Sequence, residues 1–196
     1  MDVTVVQAGL RGPSSTHRLA GRLASAVTDH AEATGTPVTV RHVDLVRHAH
    51  ALVDRLVDGT VDPRLEEDLA AVTAADAVVL VTPVYAASLS SLFKLFVDVL
   101  PPGSLDGTPV LAAATGGSMR HALVLDHALR PVLAHHRAAT VATAVFAAPE
   151  DWRPPQSAAL DERIDRAAAE LLAAAAVRPV AEPAGAGVPW LGRMGA

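Results

Sequence analysis

The fold class predicted from this sequence is α/β: one domain with a five-stranded parallel sheet between two layers of helices. Three observations predict it. Strand-like and helix-like segments alternate five times. The strand-like runs are continuously apolar, as strands buried on both faces are. The segments between them are long enough to serve as crossover connections, which parallel strands require. Five such strands fit the order 2-1-3-4-5, in which ligands bind beyond the carboxyl ends of the strands where the order reverses.

Each element has its own signal. Val3–Gln7 is a β-branched run that stops at Gly9 and reads as the first strand. Gly9–Ser15, with two glycines, a proline and two serines, is a loop. From Thr16 the apolar residues Leu19, Leu23, Ala24 and Val27 recur at helical spacing, and Gly35 closes the helix. Val38–Val43 is the second strand, and Asp44–Val57 shows no clean period. Pro63–Thr73 is helical, with Leu65, Leu69 and Val72 on one face. Ala77–Val81 is the third strand, ending in Thr82-Pro83, and Ser88–Leu100 is a strongly apolar helix. Asp106-Gly107 is a turn before the fourth strand, Pro109–Ala114.

Arg120–Arg137 has a helical period but contains Pro131. Proline inside a helix costs ~3 kcal/mol, so a kink or a second helix beginning at Pro131 is expected. Asp126 and Arg130, four apart on one face, are expected to pair. Thr140–Phe146 is the fifth strand, Pro149–Gln156 a proline-rich link and Leu160–Val177 an alanine-rich closing helix. The domain is expected to span 1–177. The tail 178–196, rich in Pro and Gly, is expected to be flexible or an arm reaching to a partner chain.

Bulk composition narrows the function. Of 196 residues, 51% are apolar and 3% aromatic, so the core is built mainly of Ala, Val and Leu. The net charge is −5 and the basic residues are scattered, which argues against nucleic-acid binding. The absence of cysteine excludes disulfides and thiol chemistry. No apolar run reaches the ~18 residues of a membrane span, and Met1–Ala8 enters a strand with no leader pattern, so a cytoplasmic protein is expected. His48/His50 and His135/His136 are not completed by cysteine or clustered carboxylates, so no metal site is expected.

The unusual sequence is concentrated in the loops after strands one, three and four. Gly9-Leu10-Arg11-Gly12-Pro13-Ser14-Ser15-Thr16 runs from a strand into a helix, where free backbone N–H groups and hydroxyls make a dianion site; a plain helix cap is the alternative. It is neither a P-loop nor a dinucleotide fingerprint. In Thr82-Pro83-Val84-Tyr85-Ala86-Ala87-Ser88 the small residues leave room for a flat ligand, and Tyr85 either edges that ligand or is half-buried core. In Thr115-Gly116-Gly117-Ser118 two glycines remove side chains where a planar ring would lie.

Taken together, Gly9–Thr16 with Leu19-Ala20, Thr82–Lys94 with Asp98, and Thr115–His121 continuing to Leu129-Arg130-Pro131 resemble the NAD(P)H-dependent FMN reductases of the flavodoxin-like fold. The actinobacterial type, which supplies reduced FMN to a separate monooxygenase, is the most similar. The resemblance spans about Val3 to Phe146. It implies FMN as cofactor and NADPH or NADH as hydride donor. It implies a phosphate site at Gly9, Arg11, Ser14, Ser15 and Thr16, and a border of Pro83, Val84, Tyr85 and Ser88 along the ring and ribityl chain. Thr115, Gly116, Gly117 and Ser118 would hold the pyrimidine edge, with His121 on the nicotinamide side.

Two departures stand out. Ser91 replaces a frequent Gly, and His17 replaces a frequent Arg, so part of the phosphate charge is missing or moved to Arg18. No catalytic side chain is expected, because the cofactors carry hydride transfer. The rival readings are an FMN-bound quinone or azo reductase and a flavodoxin-type electron carrier. A homodimer or homotetramer is expected, both from the resemblance and from the apolar breadth of Leu92, Phe93, Phe96 and Leu100 and of Leu123, Val124, Leu125, Leu129 and Val132.

Overall fold

The computed structural model describes residues 1–12 and 14–177, so the expected C-terminal arm lies outside the described residues. Its strands are β1 (Asp2–Gln7), β2 (Thr39–Asp44), β3 (Ala77–Tyr85), β4 (Ser88–Leu89), β5 (Pro109–Thr115), β6 (Ala139–Thr140) and β7 (Val145–Ala147). The helices are α1 (Ser15–Ala33), α2 (Ala49–Asp58), α3 (Pro63–Ala74), α4 (Ser91–Val99), α5 (Arg130–His135) and α6 (Gln156–Ala176). The sheet runs β2-β1-β3-β5-β6, with β7 also on β5, and every pairing along this path is parallel. The parallel core is thus the expected flavodoxin-like one, with the strand count raised to seven.

Strand alternation divides the core into two layers. Val3 and Val5 point to the face covered by α1 and α6, where they meet Leu19, Leu23, Leu160 and Leu171. Val6, Leu80 and Ala112 point to the other face, against Leu52, Leu69, Phe93 and Leu129. That second layer corrects one expectation. Leu92, Phe93, Phe96 and Leu100 are buried within the chain, because α2 packs on α4 and covers its outer side. They are core, and of the residues read as interface Leu123 stays exposed.

Three local differences have physical causes. The expected fifth strand is broken in two: β6 pairs with the start of β5 and β7 with its end. Between them side chains replace the ladder, as Arg130 donates to Ala142 O (2.9 Å) and Thr143 N–H donates to Glu170 (2.7 Å). Ser88 and Leu89 form an antiparallel hairpin with β3 and not the first turn of a helix; Ser90 then caps α4 by accepting from Phe93 N–H (3.2 Å). β2 is an edge strand with a half-exposed face, on which Arg41 pairs with Asp68 and Glu67, and so it is not uniformly apolar.

The helix break expected at Pro131 is present. Residues Leu125–Leu129 form a wide π-turn, and α5 starts at Arg130 with Pro131 in its first turn, where a missing N–H costs nothing. The expected Asp126–Arg130 pair is present at 3.0 Å. The segment without a clean period holds a 3₁₀ turn, Leu45–His48, followed by α2, which fully buries only Leu52.

Candidate functional site

The loops at the carboxyl ends of β1, β3, β5 and β7 enclose a cleft of about 530 Å³. Its walls are Gly9, Leu10, Arg11, Ser14, Ser15 and Thr16 from the first loop, then Pro83, Val84 and Tyr85. Thr115, Gly116, Gly117 and Pro149 complete it. Four segments far apart in the chain therefore meet where the strand order reverses. Ser88, Ser118 and His121 stand off the lining. Ser88 is exposed in β4, Ser118 caps the following turn by accepting from Arg120 N–H (3.2 Å), and His121 packs behind Gly116.

In the first loop Ser14 is the N-cap of α1, its hydroxyl accepting from His17 N–H at 3.2 Å. The amides of Ser15 and Thr16 have no carbonyl one turn back to bind. No acidic residue sits in the first turn, so the positive end of the helix dipole is not neutralised there. Behind the loop Gly9 N–H donates to Gln7 Oε1 (2.7 Å), and Gln7 Nε2 donates to Asp44 Oδ1 (2.5 Å). His17 bridges Gln7 and Ser14, with Nε2 2.9 Å from Gln7 Nε2 and Nδ1 2.9 Å from Ser14 Oγ. A Cβ on Gly9 would come within 2.6 Å of Ser14 Oγ and 2.9 Å of His17 Nδ1, so any larger residue would push these side chains aside.

The charge expected at Arg18 is not there. Its guanidinium lies over the ring of Trp152, 4.4 Å from the centroid, and neither it nor His17 lines the cleft. Arg11, exposed at the mouth, supplies the positive charge of the lining. Thr16 reaches across to Thr115, hydroxyl to hydroxyl at 2.8 Å, joining the first and third loops beneath the cleft floor.

On the opposite wall Tyr85 is 47% exposed, so it is a surface of the cleft and not core. It begins a two-residue hairpin turn in which Ala86 (φ 48°) and Ala87 (φ 61°) both hold left-handed conformations. The base of the hairpin is tied down by Thr82, whose hydroxyl accepts from Ser90 N–H (3.3 Å). In the third loop the two glycines differ. A Cβ on Gly116 would strike Phe146 Cζ at 2.7 Å, whereas one on Gly117 would meet nothing within 4 Å. Gly116 serves the packing of Phe146, and Gly117 leaves open space.

Among the described residues the lining holds no carboxylate and no imidazole; its ionisable side chains there are Arg11 and Tyr85. Such a site offers backbone donors, hydroxyls, one cation and one aromatic ring. It can hold and orient a charged planar ligand but supplies no general acid or base of its own. Leu10 and Pro149 were missed as lining residues by the sequence reading. Pro149 follows the last strand of the sheet, and the rule that pointed to the other loops applies to it equally.

The family model for NADPH-dependent FMN reductase matches residues 1–153, which includes every wall of the cleft. The chain belongs to this family. It is therefore an NAD(P)H:FMN oxidoreductase, with FMN and a nicotinamide nucleotide as its cofactors. The reductase is 38% identical over 166 residues to an NADH-dependent FMN reductase, SfnF, of Pseudomonas putida, covering 84% of this chain and 87% of that one. Among solved structures, an oxidoreductase from Corynebacterium diphtheriae is 42% identical with a TM-score of 0.86, covering 89% of this chain and 96% of that one. A flavodoxin, WrbA-like protein from Agrobacterium tumefaciens shares the fold at 21% identity and a TM-score of 0.61, covering 88% of this chain and 96% of that one.

Proposed function

We propose that this reductase binds FMN exchangeably in the cleft, reduces it with NADH or NADPH, and hands the reduced flavin to a separate monooxygenase. The observation that carries the reading is the asymmetry of the cleft. One end has uncapped amides, Ser14, Ser15 and Arg11, suited to a dianion. The middle is bare at Gly117 and, among the described residues, has Tyr85 as its one aromatic wall, an arrangement that suits a ring with one face open to a nicotinamide.

Bound FMN would supply the hydride-accepting chemistry of the reaction. The residues of the chain do the rest. Gly9, Arg11, Ser14, Ser15 and Thr16 form the phosphate end, with Thr16 also tying the loop to Thr115. Pro83, Val84 and Tyr85 form one side wall, and Thr115, Gly116 and Gly117 present main chain to the polar edge of the ring. The Gly116 N–H is held by Ala147 O at 3.1 Å, so the Gly117 amide is the donor left to stabilise negative charge on that edge. Ser88 and Ser118 support the hairpin and the third loop from outside, and His121 stands beside Gly116 at the nicotinamide side.

We propose a homodimer or homotetramer, for which Leu10, Tyr85, Met119 and Leu123 are among the exposed apolar residues available to a second copy. The test is to mix the purified protein with FMN and NADH or NADPH in air and follow nucleotide absorbance and dissolved oxygen. Oxidation of either nucleotide well above the protein-free rate, dependent on added FMN, is expected. Absence of FMN-dependent oxidation with both nucleotides would overturn the reading. Light scattering at micromolar concentration checks the oligomer.

A further inference from the structure

The direction of the Ser14 hydroxyl is decided by a chain of groups behind the first loop, and the chain starts from a donor whose role is fixed. A backbone N–H can only donate. The Gly9 amide 2.7 Å from the Gln7 side chain therefore marks its near atom as oxygen and orients the whole carboxamide. The NH₂ of Gln7 then faces two neighbours, Asp44 Oδ1 at 2.5 Å and His17 Nε2 at 2.9 Å. With a donor on it, Nε2 acts as the acceptor of the imidazole, and the ring proton sits on Nδ1.

Nδ1 lies 2.9 Å from Ser14 Oγ and donates to it. The same oxygen accepts from His17 N–H at 3.2 Å. Both lone pairs of the Ser14 hydroxyl are thereby used, and its own proton has no acceptor in the network. Ser14 lines the cleft. Asp44 Oδ2 is farther from Nε2, at 3.4 Å.

We propose that Gln7 and His17 are positioning residues that make Ser14 a donor-only hydroxyl, so that the start of α1 selects an ionised, acceptor-only phosphate over a ligand hydroxyl. A ligand hydroxyl can accept from Ser14 only as a neutral group and must turn its own proton elsewhere, because Ser14 has no lone pair left to receive it; an ionised phosphate accepts with its charge. The proposal rests on the reading of the cleft as an FMN site. It also assigns His17 a role without contact: it binds no phosphate but sets the residue that does.

Riboflavin, which ends in a hydroxyl where FMN carries phosphate, is the natural probe. Fluorescence titrations of both flavins are compared for the unmutated protein, Ser14→Ala, His17→Phe and the double variant. The unmutated protein is expected to prefer FMN at least tenfold. Each single substitution should remove most of that preference while riboflavin affinity stays within about twofold, and the double should lose no more than either single. His17→Asn, whose amide can occupy the place of Nδ1, should restore part of the preference. Long-range ¹H–¹⁵N spectra of the unmutated protein should show His17 protonated on Nδ1, a readout that needs no variant to fold.

A His17 ring carrying its proton on Nε2 alone overturns the proposal. So does a preference that survives His17→Phe, or losses that add in the double variant. Equal affinity of the unmutated protein for FMN and riboflavin would remove the phosphate site itself, and with it this role for His17. FMN preference lost in Ser14→Ala but kept in His17→Phe would sink the positioning role alone.

Discussion

Thr16 and Thr115, 99 residues apart in the chain, share a buried hydrogen bond of 2.8 Å between their hydroxyls. This bond couples the loop that begins α1 to the loop that ends β5, and the cleft floor lies above it. Thr115→Val would leave the Thr16 hydroxyl buried with no partner. A group stranded in this way costs about 1–3 kcal/mol. For a chain of this size each kcal/mol lowers Tm by roughly 2–4 °C. Thermal melts should show that loss, and the double variant Thr16→Val with Thr115→Val should be less unstable than the sum of the two singles.

Gly9→Ala should damage both stability and binding. The new methyl would stand under 3.0 Å from Ser14 Oγ, Gln7 Oε1 and His17 Nδ1 together, so the network must open to admit it. Overpacking of this kind costs about 1–3 kcal/mol. FMN affinity should fall by roughly tenfold, equivalent to about 1.4 kcal/mol. A titration of the folded variant reads the second effect separately from the melt.

The Tyr85 hairpin carries strain that a substitution can relieve. Ala86 and Ala87 occupy left-handed conformations that an L-residue with a Cβ adopts at a cost of roughly 1–2 kcal/mol each. Turns of this geometry favour Asn-Gly. Ala87→Gly should raise Tm by about 2–4 °C, the equivalent of roughly 1 kcal/mol, and leave the FMN affinity unchanged. Ala87→Val should lower Tm.

His136 makes stability depend on pH. Its ring is buried, and burial, followed by the neighbouring His135, pushes its pKa below the ordinary imidazole value of 6.5. The unfolded chain therefore binds more protons than the folded one as pH falls through 6.5. The contribution of His136 is complete above that pH and is lost progressively below it. Tm should decline between pH 7.5 and 5.5, and His136→Gln should flatten the slope. Glu170, held low mainly by hydrogen bonds from Thr143, acts in a separate window below pH 4.5.

Much of this architecture is written in local signals. Continuous apolar runs determined the parallel strands, because a strand covered on both faces has no polar side to show. Glycines and hydroxyls after strands one, three and four marked the loops of the cleft, since those residue types let backbone amides approach a ligand. The side chains that stand closest to the cleft came from these loops, and Tyr85, Gly117 and Ser14 were legible for that reason.

What only the tertiary structure decided are relations between segments with no shared local signal. The split of the fifth strand follows from Arg130 and Glu170 arriving from other elements to satisfy its backbone. The burial of Phe93 and Phe96 follows from α2, whose own sequence carries no clear period. Gly116 is required by the ring of Phe146, and Arg18 is drawn off the phosphate end by Trp152. His17, which reads in isolation as a lost arginine, becomes a proton-orienting group through contact with Gln7 on β1. Periodicity reports which side of an element is buried; it carries no record of which distant atom will be waiting there.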